Sequence, residues 1–260
     1  MKNINTILAV GAVAAACGAA EAALVYTQDF NSLGITNGQA STGTGAVGSQ
    51  GAIPNLSGGQ AARVAGSSSA TMNLLIDNGG TSNTGGVYSA GSTNTAVDRS
   101  LGALASSGIT PAFGLVLVNT EAHAQDSITI TFTGEQWRLA NGTGAVANTL
   151  TFAYGFGGGS VTSSNFLSNA GMTADSRGNV VSGVATAAPF NVYAATSISF
   201  TITGVVWNPG QELFIRWQLP KVAGSGANLA IDDLTINAVP APGAMALLGV
   251  AGLLGARRRR

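Results

Sequence analysis

Along most of the chain, apolar and polar residues alternate with a period of two. In Ser127-Ile128-Thr129-Ile130-Thr131-Phe132-Thr133, the two isoleucines and the phenylalanine share one face and the hydroxyls share the other. Leu150, Phe152, Tyr154 and Phe156 alternate likewise, as do Ile198, Phe200 and Ile202, and Leu213, Ile215, Trp217 and Leu219. Successive side chains of a strand point to opposite sides, so each segment predicts a strand with one buried face. The run 113–118 is apolar throughout and predicts a strand covered on both sides. Threonine and β-branched residues fill these segments, and Gly, Asn and Ser separate them. No stretch of the body carries the 3.6-residue period of an amphipathic helix. The expected fold is all-β, an antiparallel two-sheet sandwich of jelly-roll type. Two Gly/Ser/Thr-rich stretches, 37–59 and 78–94, are expected to be long surface loops.

The two ends break this pattern. After Met1-Lys2, residues 7–20 are almost wholly small and apolar, and Ala20-Glu21-Ala22 fits the small-x-small rule for signal cleavage. Residues 1–22 are therefore expected to be a signal peptide removed by signal peptidase, with export starting the mature chain at Ala23. An alternative is lipidation at Cys17, which follows Ala14-Ala15-Ala16. At the other end, Val239-Pro240-Ala241-Pro242 interrupts the strand pattern. Fourteen apolar or small residues follow, 243–256, and Arg257, Arg258, Arg259 and Arg260 end the sequence. Fourteen helical residues reach about 21 Å, short of the roughly 30 Å hydrocarbon core, so the segment suits a transient membrane anchor. Its arginines are expected to stay on the cytoplasmic side. The expected division is thus 1–22 signal, 23–237 sandwich domain and 238–260 tail.

The order Pro-x-Pro, short apolar helix, arginine cluster resembles the PEP-CTERM sorting signal, with Pro240, Pro242 and Arg257–Arg260 as its elements. Alanine at 241 stands where the usual motif has glutamate. The resemblance implies processing by an exosortase and delivery to the outer surface or extracellular matrix. A second resemblance lies in the body. It is carried by Asp29-Phe30-Asn31-Ser32-Leu33, Asp98-Arg99-Ser100-Leu101-Gly102, Thr133-Gly134-Glu135-Gln136-Trp137-Arg138, Ile215-Arg216-Trp217 and Ala230-Ile231-Asp232-Asp233-Leu234. In this order they are similar to secreted concanavalin-like or carbohydrate-binding jelly rolls. Residues 218–228, between the last two elements, contain no acid.

Charge narrows the partners. Charged residues are only 8% of the chain. Without the two ends, six basic residues face ten acidic ones, a net charge of −4 for the body. Such a surface does not attract nucleic acid or anionic lipid. A mean hydropathy of +0.31 argues for a packed core rather than a disordered chain. The sole cysteine lies in the signal segment, which leaves no thiol for a disulfide or metal site in the body.

The candidate chemistry is sparse. Gly43-Thr44-Gly45-Ala46-Val47-Gly48 matches a dinucleotide fingerprint, but neither the preceding strand nor the following helix is present. His123 is the single histidine, in a polar connector, with no nucleophile elbow to accompany it. Asp232 and Asp233, as strand neighbours, are expected on opposite faces and so do not flank one bond. An enzyme is not expected. Five charges stand inside strand patterns, beside Trp137 and Trp217: Glu135, Arg138, Arg216, Asp232 and Asp233. Burying them is costly unless they are paired or bind a cation. Three readings stay open: a structural ion-pair network of Glu135, Arg138, Arg216 and one aspartate; a calcium site at Asp232 or Asp233; or a sugar-binding surface at Trp137. Trp207, beside Asn208-Pro209-Gly210, is a second aromatic expected near the surface. The sequence thus points first to a structural or adhesive surface protein, and next to a module that recognises a polysaccharide. A hydrolase comes third.

Overall fold

The computed structural model describes residues 23–33, 39–40, 50–67, 73–141, 144–157, 172–185, 191, 193–223 and 226–240. Within them the first strands are β1 (Ala23–Gln28), β2 (Gln39–Ala40), β3 (Gln50–Ala52), β4 (Gly59–Ala65), β5 (Asn73–Asp77) and β6 (Gly86–Ala90). Then come β7 (Ser100–Leu104), β8 (Thr110–Val118), β9 (Gln125–Arg138), β10 (Ala140–Asn141), β11 (Thr149–Gly157) and β12 (Met172–Ala174). The last are β13 (Val180–Val181), β14 (Val184–Ala185), β15 (Ala194–Trp207), β16 (Glu212–Gln218) and β17 (Asn228–Pro240).

These strands form two packed sheets, as the period-two pattern requires. The first runs β15-β9-β17-β7-β6-β5-β2, with β1 also on β17. The second runs β12-β11-β16-β8-β4-β3, with β13 on β11. The chain crosses from one sheet to the other repeatedly, as at β4–β5, β7–β8, β8–β9, β15–β16 and β16–β17, which is jelly-roll-like connectivity. Pairing is antiparallel except for β5 with β6 and the small pair β10 with β14.

The alternating segments turn their apolar faces inward as expected. Ile128, Ile130 and Phe132 from β9 meet Phe152 from β11 and Ile215 and Trp217 from β16 in one core. Trp217 is fully buried, edge-on to Phe132 at 5.3 Å and tilted against Phe152 at 5.1 Å, and its indole N–H donates to the Gly178 carbonyl. The apolar run 113–118 lies within β8, whose middle is buried on both faces.

Three expectations are corrected. The stretch 78–94 is not one long loop, because β6 lies within it with every residue buried. Both faces of Gly-Val-Tyr-Ser-Ala are covered, so it shows no alternation, and the Gly, Ser and Asn around it disguised a central strand. Short strands β2 and β3 likewise fall within 37–59. Finally, the sandwich does not end at Asn237: β17 runs on to Pro240, which is paired with Gln125 at the strand's last position, where a missing N–H is tolerated. The signal segment with Ala20 and Ala22, the Gly43–Gly48 run, Pro242, the apolar stretch 243–256 and Arg257–Arg260 all lie outside the described residues. Among the described residues no helix is long and apolar enough to cross a membrane.

Candidate binding cleft

β17 positions the site. One edge of β17 pairs with β9 along its whole length. Its other edge is shared: β7 pairs with residues 228–231 and β1 with residues 234–238. At the junction β17 bulges, since Asp232 pairs with Thr133 but Thr235 pairs with Thr131. The extra residue is Asp233, in the left-handed region at φ 50°. The bulge breaks the strict alternation assumed from sequence. Ile231 and Leu234 both point into the core, three residues apart, and Asp232 and Asp233 lie between them.

The neighbouring turn closes the gap between β1 and β7. Phe30, at φ 54°, turns the chain out of β1, and the Asn31 side chain accepts the Arg99 amide at 2.7 Å. Three of the sequence motifs therefore meet at one point. Asp233 lines a hollow of about 300 Å³ with Gln28 and Asp29. Asp232 lines a different, larger cleft of about 350 Å³ with Asp98, Arg99, Ser100, Glu135 and Trp137.

The cleft stands on the outer face of the first sheet. Glu135 and Trp137 face outward by strand parity, yet both are buried, because further chain covers them. Gly79 makes part of that cover. Its φ is +82°, and a Cβ there would stand 2.0 Å from the Trp137 carbonyl oxygen, so only glycine lets the loop approach. The Gly79 carbonyl in turn accepts the Asn191 amide, which brings Asn78, Asn191 and Tyr193 to the rim.

Glu135 organises the aromatic wall. One carboxylate oxygen accepts the Trp137 indole N–H at 3.0 Å and the other accepts the Tyr193 hydroxyl at 2.9 Å. The two rings lie 4.8 Å apart, tilted by 51°. Tyr193 is 55% exposed, whereas Trp137 is 8% exposed and also bonds Ser100. Burial, the bond to Glu135 and the nearby carboxylates together push the Tyr193 hydroxyl up to about 12, so it stays a donor. The floor is Asp232, 7% exposed. Burial raises its carboxyl to about 8, with Glu135, Asp233 and Asp98 adding to the rise against the Asp233 amide bond. Arg99 is held away from these carboxyls. Its guanidinium donates to the Ser89 hydroxyl, the Ser89 carbonyl and the Thr93 carbonyl.

The expected ion-pair network does not assemble. Glu135 and Asp232 share the cleft, but Arg138 lies beyond a bulge in β9, opposite Asn228 at the end of the strand. There it donates to the Gly226 carbonyl at 2.9 and 2.6 Å, to the Ser82 carbonyl and to the Asn83 side chain. Arg216 belongs to β16 in the second sheet, on the face opposite the core residues Ile215 and Trp217. Two packed sheets, about 10 Å apart, separate it from Glu135. Burial lowers it to about 10. Parity had placed Glu135 and Arg216 on the correct faces of their own strands; it carried no information on which sheet each strand joins. For calcium, Asp232 and Asp233 enter separate hollows. Among the described residues no three Asp, Glu, His or Cys side chains are arranged to hold a metal ion. Trp207 is fully buried, with its indole N–H on the Gln211 carbonyl, because the Asn208 turn folds back over it. Sequence reasoning missed Tyr193, Asn78 and Asn191 as lining residues. Asp98 was visible only as part of a motif.

No family model and no curated protein matches the chain. Among solved structures it is similar to the enzymatically active domain of tailspike protein 4 of bacteriophage CBA120. Identity is 10% and TM-score 0.37, over 78% of this chain and 21% of that one. The chain thus spans about a fifth of that protein. It is also similar to the CBM22-1 xylan-binding domain of Xyn10C from Paenibacillus barcinonensis, at 13% identity and TM-score 0.29, over 61% and 82% of the two chains. A cyclase from Fischerella sp. in its apo form matches at 13% identity and TM-score 0.36, over 85% and 98%. Each likeness is remote.

Proposed function

We propose that this is an exported, exosortase-processed protein of the cell surface or extracellular matrix, and that its sandwich binds a polysaccharide without cleaving it. The observation that carries the binding reading is the Trp137–Tyr193 wall, held in place by Glu135 in an open cleft. Sugar rings offer apolar faces to aromatic side chains and hydroxyls to carboxylates and amides, and this cleft lines both kinds of group together. Both oxygens of Glu135 already accept hydrogen bonds, which suits a wall residue better than an attacking group. An adhesive role follows if the polysaccharide belongs to the matrix.

A glycan array probed with the mature exported protein tests the binding. Trp137→Ala and Tyr193→Ala should each weaken the best ligand at least tenfold, at about 1.4 kcal/mol per decade. Silence across the array would end the binding reading. Processing is tested separately. Cells lacking exosortase should accumulate protein whose intact mass retains Arg257–Arg260, and equal masses with and without the enzyme would leave the tail a plain anchor.

A further inference from the structure

The carboxyls of the cleft lack a matching cation. Asp98 stands exposed at the rim, Glu135 lies in the wall, and Asp232 forms the floor. The one basic side chain among the lining residues is Arg99, and Ser89 and Thr93 occupy its guanidinium. Asp232 is more than nine-tenths buried. Among the described residues its hydrogen bonding is a single contact, from the Asp233 amide to Oδ1 at 2.8 Å. Burial disfavours the charged form of this carboxyl, and a cationic donor in the cleft would favour that form again through the oxygen that the Asp233 amide leaves unused.

Resting on the saccharide reading above, we infer that the cleft selects amino sugars: it takes hexosamine units whose amine is free and cationic, and it rejects uronates. An ammonium group carries three donors, which the carboxyls and side-chain amides of the lining can share. The tilted Trp137 and Tyr193 rings add attraction for an organic cation within about 6 Å of a ring. A metal ion fits less well. No three Asp, Glu, His or Cys side chains among the described residues are arranged to hold one, and the aromatic wall offers a metal no ligand. A uronate would bring a further carboxylate beside Glu135, Asp98 and the buried Asp232 carboxyl, where burial and like charge both disfavour it.

Calorimetry with the mature exported protein decides the matter. The probes are β-1,4-glucosamine oligomers, the same oligomers fully N-acetylated, oligogalacturonate, and calcium chloride alone. The free-amine oligomer should bind at least tenfold more tightly than its acetylated form, and oligogalacturonate should not bind. Asp98→Asn and Asp232→Asn should each reduce the preference for the free amine several-fold. Glu121→Gln, an exposed acid outside the cleft, should leave it unchanged, which separates recognition from general attraction to an acidic protein. Equal affinity for the free and acetylated oligomers, or tighter binding of the uronate, overturns the amine inference and leaves saccharide binding standing. Binding of no saccharide at all removes the saccharide reading itself. Calcium alone raising the melting temperature in the parent but not in Asp232→Asn would assign the carboxyls to a metal and also overturn the inference.

Discussion

Strand β9 holds two contrasting regions, and the contrast explains where chemistry gathers in this fold. From Ser127 to Thr133 it is a regular sandwich strand. Isoleucine and phenylalanine point inward, and the outer hydroxyls pair with the next strand, Thr129 with Thr201 and Thr131 with Ser199, each at 2.9 Å. From Gly134 to Arg138 every residue is buried, and a bulge between Gln136 and Arg138 interrupts the alternation. Here a second layer of chain covers the outer face, and Glu135 and Trp137 are enclosed with Tyr193 and Asp232. The regular half contributes stability through its inner face. The covered half contributes a cleft through its outer one.

The largest expected effect follows from the inner face. Phe132→Ala removes a ring packed edge-on against Trp217 in the main core. It should cost about 3–5 kcal/mol, the usual range for a buried phenylalanine. Trp137→Ala, five residues along the same strand, should cost roughly half of that or less, because it opens an existing cleft rather than creating a closed cavity. Urea midpoints of the two variants measure the difference. Equal losses would mean that the covered half is core in its own right and the comparison is wrong.

The same contrast separates what was legible in the sequence from what was not. Period-two alternation at 127–133, 150–156 and 213–219 reveals strands because one face of each is buried and the other is not. It fails where both faces are covered by different means. In β6, both faces are buried and Gly, Ser and Asn surround the strand, and at 134–138 the covering layer comes from residues 79–82, Asn191 and Tyr193, far away in sequence. Parity correctly placed Glu135 on the outer face and Arg216 opposite Trp217. It could not foresee that they belong to different sheets, since sheet membership is set by long-range pairing. The bulge at Asp233 was equally hidden: nothing local marks Ile231-Asp232-Asp233-Leu234 as a place where alternation slips by one residue. Tyr193 reads as an ordinary loop aromatic until the Glu135 contact is known.

A smaller effect sharpens the comparison through pH. The Asp232 carboxyl titrates near 8 in the fold against an ordinary value of 3.8, chiefly because it is buried. Between about pH 4 and pH 8 the folded protein holds a proton that the unfolded chain has released, so stability should fall as pH rises through that window. The slope approaches about 1.4 kcal/mol per pH unit at most, and is smaller to the extent that water enters the cleft. Asp232→Asn has no proton to lose and should flatten the decline, ending more stable than the parent at pH 8. Asp175 acts in another window. Arg177 holds its carboxyl below the ordinary range, so its stabilising contribution is present above about pH 4 and is lost only in acid. Denaturation midpoints at pH 5 and pH 8 for parent and Asp232→Asn test this, and parallel curves would show that the floor of the cleft is fully solvated.

The smallest effect concerns the outer hydroxyls of the regular half. Thr131 bonds Ser199 on an exposed face, and cross-strand pairs of this kind contribute roughly 0.2–1 kcal/mol. Thr131→Val keeps the β-branched shape and loses only the hydroxyl, so it should shift the urea midpoint by a few tenths of a kcal/mol. Thr131→Ala loses the strand preference as well and should fall somewhat further, within about 1 kcal/mol. Neither should alter saccharide binding, because Thr131 is not among the residues lining the cleft. If Thr131→Val instead destabilised as strongly as Phe132→Ala, the hydroxyl face would have to be covered in solution, by another copy or another part of the chain. If it abolished binding, the ligand would run along the whole of β9 rather than ending at Trp137, and the division of this strand into a structural half and a binding half would no longer hold.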